Sequence, residues 1–374
     1  MPSALNTVTI KGFKSIRSLE NFEQANLNVL IGGNGAGKSN FIDFFRLLRA
    51  MLELPLHGLE HASLRAYVAD NDSRDGLLFN GIKVTPQIEV ELHFDLNGYR
   101  FKLAPDTGDS FFIKDEERLF MGGTAGWWNL GSGQTTPELL KDKETNGYTG
   151  TKNASFYVYH AIESWKIYHF HDSSKHAPMR GYEKIDDCDY LRFEGSNIAP
   201  YLFKLREEYS DAYKQIVETV RLVTPFFDDF ILKPNKKEMV RLRWRQKGSD
   251  YPLNPYHLSD GTIRFICLAT ALLQPELPSL LILDEPELGL HPYAISILAE
   301  LIQTAAKKIK LIVATQSAEF VNNFHPEHIV VTNRRDGASV FSRLNTDELS
   351  LWLKDYSLGE LWKKNIISGG PDYE

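Results

Sequence analysis

Two stretches of this sequence carry side chains that together suit the chemistry of a nucleoside triphosphate. The first is Leu27-Asn28-Val29-Leu30-Ile31-Gly32-Gly33-Asn34-Gly35-Ala36-Gly37-Lys38-Ser39. Gly32, Gly37, Lys38 and Ser39 satisfy the phosphate-loop spacing G-x-x-x-x-G-K-[ST]. Glycines let a backbone curl until its N–H groups point at phosphate oxygens. Lys38 can then reach the β- and γ-phosphates, the Ser39 hydroxyl suits Mg2+, and the N-terminus of a following helix adds positive potential. The second stretch is Leu280-Leu281-Ile282-Leu283-Asp284-Glu285-Pro286-Glu287. Four successive apolar residues indicate a strand buried on both faces, as in a parallel sheet. At its carboxyl end Asp284 can hold Mg2+ through water, and Glu285 can polarise the water that attacks the γ-phosphate. A strand ending in acids is common; joined to a phosphate loop it describes an ATP-hydrolysing site.

Two other groups carry chemistry without fixing it. Tyr168-His169-Phe170-His171-Asp172 places two histidines two residues apart beside an aspartate. That set either binds a metal or lies on one strand face making hydrogen bonds. Arg241, Arg243 and Arg245 alternate with Val240, Leu242 and Trp244, so a strand would put the three guanidinium groups on one face. With Lys233, Lys236, Lys237 and Lys247 nearby, this is the most basic part of the chain. It is either a solvated or acid-paired face, or a contact for a nucleic-acid backbone or an acidic partner.

The elements that must position these residues are visible in the periodicity. Residues 8–16 read as a strand and turn leading to the phosphate loop. Phe41, Phe44, Phe45, Leu48 and Leu52 recur at helical spacing behind it, and Pro55 closes the run. Ile88, Val90, Leu92 and Phe94 alternate with polar residues, Asn97-Gly98 follows, and Tyr99, Phe101 and Leu103 alternate again, which predicts a β-hairpin. Residues 111–120 add a third antiparallel strand. Residues 122–151, rich in Gly, Thr, Asn and Lys, read as a long loop or lid. Two helices are expected over 198–223, broken near Tyr209-Ser210-Asp211, with Ser210 or Asp211 capping the second. Further on come a helix over 292–308 opened by Pro292, a strand over 311–315, a cap at Ser317, strands over 329–332 and 339–344, and a capping box at Ser357 and Glu360.

Bulk properties narrow the class. A chain of 374 residues with 43% hydrophobic residues can bury a large core. Two cysteines, Cys188 and Cys267, exclude a disulfide scaffold and fit a cytoplasmic setting. No apolar run approaches the length of a membrane span. A net charge of −7 argues against a protein coated in nucleic acid while leaving room for a local basic groove.

Leu258-Ser259-Asp260-Gly261-Thr262 opens a helix before the acids, and Leu288-Gly289-Leu290-His291-Pro292 follows them. The order of phosphate loop, long insertion, L-S-x-G signature and Asp-Glu acids resembles the ABC-type AAA-family ATPases over most of the chain. Within them, Gly33-Asn34-Gly35-Ala36-Gly37-Lys38-Ser39-Asn40, Leu258-Ser259-Asp260-Gly261-Thr262 and Asp284-Glu285-Pro286-Glu287-Leu288-Gly289-Leu290-His291-Pro292 are similar to the RecF/SMC/OLD-related group. The resemblance implies an α/β fold: an ABC-ATPase head with a mixed, mainly parallel core sheet, an antiparallel β subdomain and a helical insertion. Residues 1–374 would form one such domain, with an N-terminal lobe over 1–125, a loop and helical insertion over 126–250, and a C-terminal lobe over 251–374. It implies ATP and Mg2+ as cofactors and a homodimer sandwiching two ATP molecules. Gly32, Asn34, Gly35, Ala36, Gly37, Lys38, Ser39 and Asn40 of one copy would bind ATP, Ser39 and Asp284 would serve Mg2+, and Ser259, Asp260 and Gly261 of the other copy would close on the γ-phosphate. Glu285 is the implied catalytic residue. Gln316 stands where the family's switch histidine lies; it can hydrogen-bond but cannot become a cation. Gln87 and Gln134 are the candidates for a Mg2+-sensing glutamine. The chain shows neither the acid-rich TOPRIM nuclease domain of OLD proteins nor the long SMC coiled coil, and nothing suggests a membrane partner. The expected partner is therefore a separately encoded nuclease-type effector, as in anti-phage defence. The alternatives are a RecF-like ATPase holding DNA through Arg241, Arg243 and Arg245, and a slow-hydrolysing ATP-gated scaffold.

Overall fold

The computed structural model describes residues 3–52, 64–71, 73–122, 126–145 and 152–367. Pro55, expected to close the first helix, lies outside them. Strands run in the order β1 (Leu5–Phe13), β2 (Ile16–Glu23), β3 (Leu27–Ile31), β4 (Ile88–Phe94), β5 (Asn97–Pro105), β6 (Phe111–Phe120), β7 (Gly126–Gly131), β8 (Lys166–Tyr168), β9 (Glu183–Lys184), β10 (Phe227–Ile231), β11 (Met239–Val240), β12 (Arg243–Gln246), β13 (Leu280–Asp284), β14 (Lys310–Ala314), β15 (Ile329–Arg335) and β16 (Ala338–Arg343).

Two six-stranded sheets organise the chain. The core sheet has the order β16-β15-β3-β14-β13-β8. β15, β3, β14, β13 and β8 are mutually parallel and β16 is an antiparallel edge. The apolar runs seen in sequence are its central strands. In β3, Leu27, Val29 and Ile31 face one hydrophobic cluster and Leu30 the other; in β13, Leu281 and Leu283 divide from Leu280 and Ile282 in the same way. On the first face lie the helices Ile198–Glu208, Ser210–Val223, Asp260–Leu273 and Pro292–Ala306. On the second lie the helices Lys38–Leu52 and Ala154–Ser164 and the other sheet, antiparallel throughout, in the order β2-β1-β4-β5-β6-β7. A sheet buried on both faces favours apolar residues at successive positions, which is why Val29-Leu30-Ile31 of β3 runs without alternation, while the buried Asn28 amide is satisfied by Ala25 O and Leu311 O.

Several expectations need correction. The stretch 122–151 is not one long loop: β7 adds a sixth strand to the antiparallel sheet and Leu139–Asp142 is a helical turn, while residues 123–125 and 146–151 lie outside the described residues. The second helix of 198–223 starts at Ser210 with Tyr209 at its N-cap, and neither Ser210 nor Asp211 caps it. The arginine stretch is not one strand. β11 pairs with β9 and β12 with β10, and the ladder breaks at Arg241-Leu242 although Val240, Leu242 and Trp244 are buried as the alternation predicts. Ser317 does cap the next helix, accepting from Phe320 N–H at 3.1 Å, and Glu360 accepts from Ser357 N–H at 2.8 Å.

Candidate active site at the carboxyl ends of the core strands

The phosphate loop leaves β3 at Ile31 and enters the helix Lys38–Leu52. Gly37 has φ +114, and a Cβ there would overlap Ser339 Oγ, so both the dihedral and the packing require glycine. Ser339 explains the closeness: its hydroxyl donates to Ala36 O at 2.6 Å and pairs with Ser15 Oγ at 2.6 Å. Asn40 Nδ2 donates to the same Ser15 Oγ at 2.6 Å. Asn40, expected among the nucleotide contacts, thus braces the loop from behind. Asn34, Gly35 and Ser39 are exposed, and Gly32, Ala36 and Gly37 are buried.

Lys38 is 6% exposed, and its ammonium donates to Gly32 O at 2.6 Å and Gly33 O at 3.2 Å. Burial lowers its pKa, and the negative charges of Glu285, Asp284 and Glu287 oppose that shift. The loop and the acids therefore share one electrostatic site. β3 and β13 flank β14, so both motifs emerge at the carboxyl edge of adjacent parallel strands, where α/β sheets bind ligands.

Asp284 ends β13. Glu285 follows with φ +44, a left-handed conformation that costs a non-glycine residue energy and marks an imposed geometry. Its N–H donates to Ala314 O at 2.8 Å, and its carboxylate accepts from the Gln316 amide. Glu285 and Gln316, both singled out in sequence, therefore meet. Glu287, 8% exposed, accepts from the Thr315 hydroxyl; burial raises its pKa more than that hydrogen bond lowers it.

Ser259 caps the helix Asp260–Leu273, accepting from Thr262 N–H at 3.1 Å. Gly261 lies so close to Gly289 that a Cβ would overlap the Gly289 carbonyl oxygen. Two arginines that sequence reasoning missed hold this helix in place. Arg180, 3% exposed, bonds Ser173 O at 3.0 Å, Leu258 O at 3.2 Å, Pro255 O and the Asp260 carboxylate at 2.7 Å. Arg264 bonds Phe170 O at 2.8 Å, His171 O at 2.7 Å and Leu288 O. Asp260 is thus occupied by an internal ion pair. Among the described residues, the side-chain hydrogen bonds of Ser259 go to Thr262 and none to the phosphate loop.

Of the remaining expected residues, the two glutamines, Arg241 and Arg245 bond elsewhere, and the two histidines do not. Gln87 bonds Glu89 at 2.6 Å and Lys114 at 3.1 Å, and Gln134 bonds Glu116 at 2.8 Å, both around the antiparallel sheet. Arg241 lies over the Tyr182 and Tyr256 rings and donates to Arg180 O at 2.9 Å; Arg245 pairs with Asp228 at 2.6 Å. His169 and His171 stand beside Asp284.

Comparison with known proteins decides the family. The model of the family described as "AAA domain, putative AbiEii toxin, Type IV TA system" matches residues 27–322, which carry the phosphate loop, the signature and the acids. The chain belongs to that family. It therefore carries an AAA domain over the stretch that holds all three motifs. Its fold is similar to an SMC head bound to the C-winged helix domain of ScpA, with a TM-score of 0.55 and 18% identity over 93% of this chain and 99% of that one. An SMC head with an extended coiled coil from Pyrococcus furiosus gives 0.52 and 16% over 95% and 99%. Among curated proteins, the phosphate import ATP-binding protein PstB of Ehrlichia ruminantium is 34% identical over 74 residues. That match spans 20% of this chain and 28% of the relative, and so covers well under two thirds of it. No helix among the described residues is long and apolar enough to cross a membrane.

The site fits a nucleotide-bound divalent ion. Such an ion takes one or two protein oxygens and completes its shell with phosphates and water. Asp284 at the end of β13 and Ser39 in the first turn after the loop are the oxygens that would hold it, and no cluster of three His, Cys, Asp or Glu among the described residues forms a closed protein cage.

Proposed function

We propose that the protein is an ATP-gated homodimeric switch whose closed state controls a separately encoded nuclease-type effector. The observation that carries this reading is the division of the site. The phosphate loop is braced by β16, whereas Gly261 is packed against Gly289 and Leu290 and, among the described residues, the Ser259 side chain bonds Thr262 and no phosphate-loop residue. A second copy turned face to face supplies the missing half. Around Ser259 the surface exposes Tyr256, Leu288 and Tyr293, at 53%, 48% and 54%. Apolar groups of that size suit burial between copies.

In this reading Gly32, Asn34, Gly35, Ala36 and Gly37 wrap the phosphates, Lys38 exchanges its two loop carbonyls for phosphate oxygens, and Ser39 and Asp284 hold Mg2+. Bound there, the ion neutralises charge that develops on the phosphates. Glu285 orients and deprotonates the attacking water, with Gln316 steering its carboxylate. Ser259 and the Gly261 amide of the other copy complete the pocket for the γ-phosphate. The family description includes a toxin of a toxin–antitoxin system, which supports a role in defence. Direct DNA binding through Arg241, Arg243 and Arg245 has less support, because Arg241 and Arg245 already have internal partners.

The test is Glu285→Gln. Steady-state phosphate release should fall at least about 100-fold, the scale of losing a general base, while ATP converts the variant to a stable dimer in sedimentation. Wild-type turnover should rise with the square of protein concentration at low concentration. A variant that stays monomeric with ATP, together with wild-type turnover linear in concentration, would refute the switch.

A further inference from the structure

The histidine pair is the chemical feature that the switch leaves unused. β8 runs parallel to β13 with Tyr168 beside Leu283, so the next residue along, His169, comes level with Asp284. Its Nδ1 is 3.4 Å from Asp284 Oδ2. That nitrogen is shielded from solvent yet makes no hydrogen bond. His171 stacks on it with ring centroids 3.7 Å apart and points Nε2 at Asp284 O, 3.1 Å away. Arg264 fixes the segment by bonding the carbonyls of Phe170 and His171. The strand end, the stack and the guanidinium together hold His169 Nδ1 toward the carboxylate.

An imidazole nitrogen shielded from solvent, with a carboxylate oxygen 3.4 Å away but no hydrogen bond to it, is a lone pair or an N–H incompletely used, and that is costly. Adjacent ligands of an octahedral ion with bonds near 2.1 Å lie about 3 Å apart. Asp284 Oδ2 and His169 Nδ1 need to approach by only a few tenths of an ångström to share one ion. The geometry points to His169 Nδ1 as a ligand of the nucleotide-bound divalent ion, adding nitrogen to the oxygens of Asp284 and Ser39. The inference rests on the ATP-site reading of those two residues. Its consequence is selectivity: imidazole suits first-row transition ions, whereas Mg2+ prefers an all-oxygen shell. The site should therefore favour Mn2+ over Mg2+ more strongly than free ATP does.

The decisive experiment uses the full chain, labelled with 15N-histidine, mixed with Mn2+ and a non-hydrolysable ATP analogue. Electron spin-echo modulation should show a directly bound 15N nucleus in the wild type. The coupling should survive in His171→Gln and vanish in His169→Gln, where Mn2+ affinity should also drop about tenfold or more, as for a lost metal-site partner. If Mn2+ binds with the nucleotide but shows no histidine nitrogen, the ligand assignment is overturned while the ATP site stands. If the wild type binds neither nucleotide nor Mn2+, both fall. A wild type that binds Mn2+ and nucleotide without a histidine nitrogen refutes the assignment whether or not a variant folds, and where the nitrogen is seen, either folded variant separates His169 from His171.

Discussion

Adding one methyl group at Gly261 should separate stability from turnover. Gly261 is the second residue of the helix Asp260–Leu273, and its backbone is ordinary helix, so alanine meets no dihedral penalty. The new Cβ would instead overlap Gly289 O, with Gly289 C at 3.4 Å and Leu290 Cα at 3.7 Å. These are backbone atoms and cannot rotate away. Overpacking of this kind costs about 1–3 kcal/mol, and the better helix propensity of alanine returns up to about 1 kcal/mol. The net loss is about 0–3 kcal/mol. At about 2.1 cal/mol/K of unfolding entropy per residue, a chain of 374 residues loses at most about 4 °C of Tm. The overlap is relieved by moving either the Ser259 end of the helix or the loop that follows Glu285. A displacement near 1 Å at a reacting group costs on the order of 100-fold in rate. Gly261→Ala should therefore bind a fluorescent ATP analogue within about threefold of wild type, while kcat falls about 100-fold. Calorimetry, analogue titration and phosphate release on one preparation check all three. Turnover within twofold of wild type at every protein concentration would remove the signature helix from the site. A Tm loss of ten degrees would refute the assumption of local relief.

Two further outcomes follow from buried titratable groups. Burial raises the Glu287 pKa, so from the ordinary glutamate value of about 4.3 upward the folded chain holds more protons than the unfolded one, and this group's contribution to stability declines as pH rises through the raised value. Glu287→Gln removes that dependence, so the slope of Tm between pH 5 and pH 8 should flatten; parallel slopes would count against a neutral buried carboxyl. The Cys267 thiol is fully buried and pushed up to about 12, which leaves on the order of one thiolate in ten thousand at pH 8, whereas Cys188 is half-buried. A disulfide reagent should find one fast thiol in the native chain and two in denaturant; two fast native thiols would show that the helix Asp260–Leu273 opens readily.

What was legible in the sequence was local. The phosphate loop and the acids are contiguous motifs, and buried parallel strands betray themselves as apolar runs, as in β3 and β13. What was hidden depended on distant pairing. Ser15 and Ser339 brace the loop across a separation of 324 residues, and no local pattern announces that contact. β7 was missed because it is an edge strand with no fully buried residue, so the alternation that burial imprints is absent. The arginine stretch kept its alternation, since Val240, Leu242 and Trp244 are buried, but the ladder changes partner midway, and that change leaves no trace in periodicity. His169 lies beyond the end of β8, and only the parallel register with β13 sets it beside Asp284.

Two charged groups of the site are held by neutral partners at rest. Lys38 is tied to the carbonyls of its own loop, and Glu285 is tied to Gln316. Both bonds must be exchanged before chemistry: the ammonium for phosphate oxygens, the carboxylate for a water. The first exchange is well repaid, because phosphate offers the buried ammonium a full negative charge where a carbonyl offers a dipole. The second has no such gain within one copy, since Glu285 gives up an amide donor for a water. It becomes favourable when closure excludes bulk solvent and fixes that water against a γ-phosphate. In the proposed switch, ATP binding and ATP cleavage are thereby set to different events, capture by one copy and closure by two. On that proposal, the chain holds ATP uncleaved until a second surface arrives.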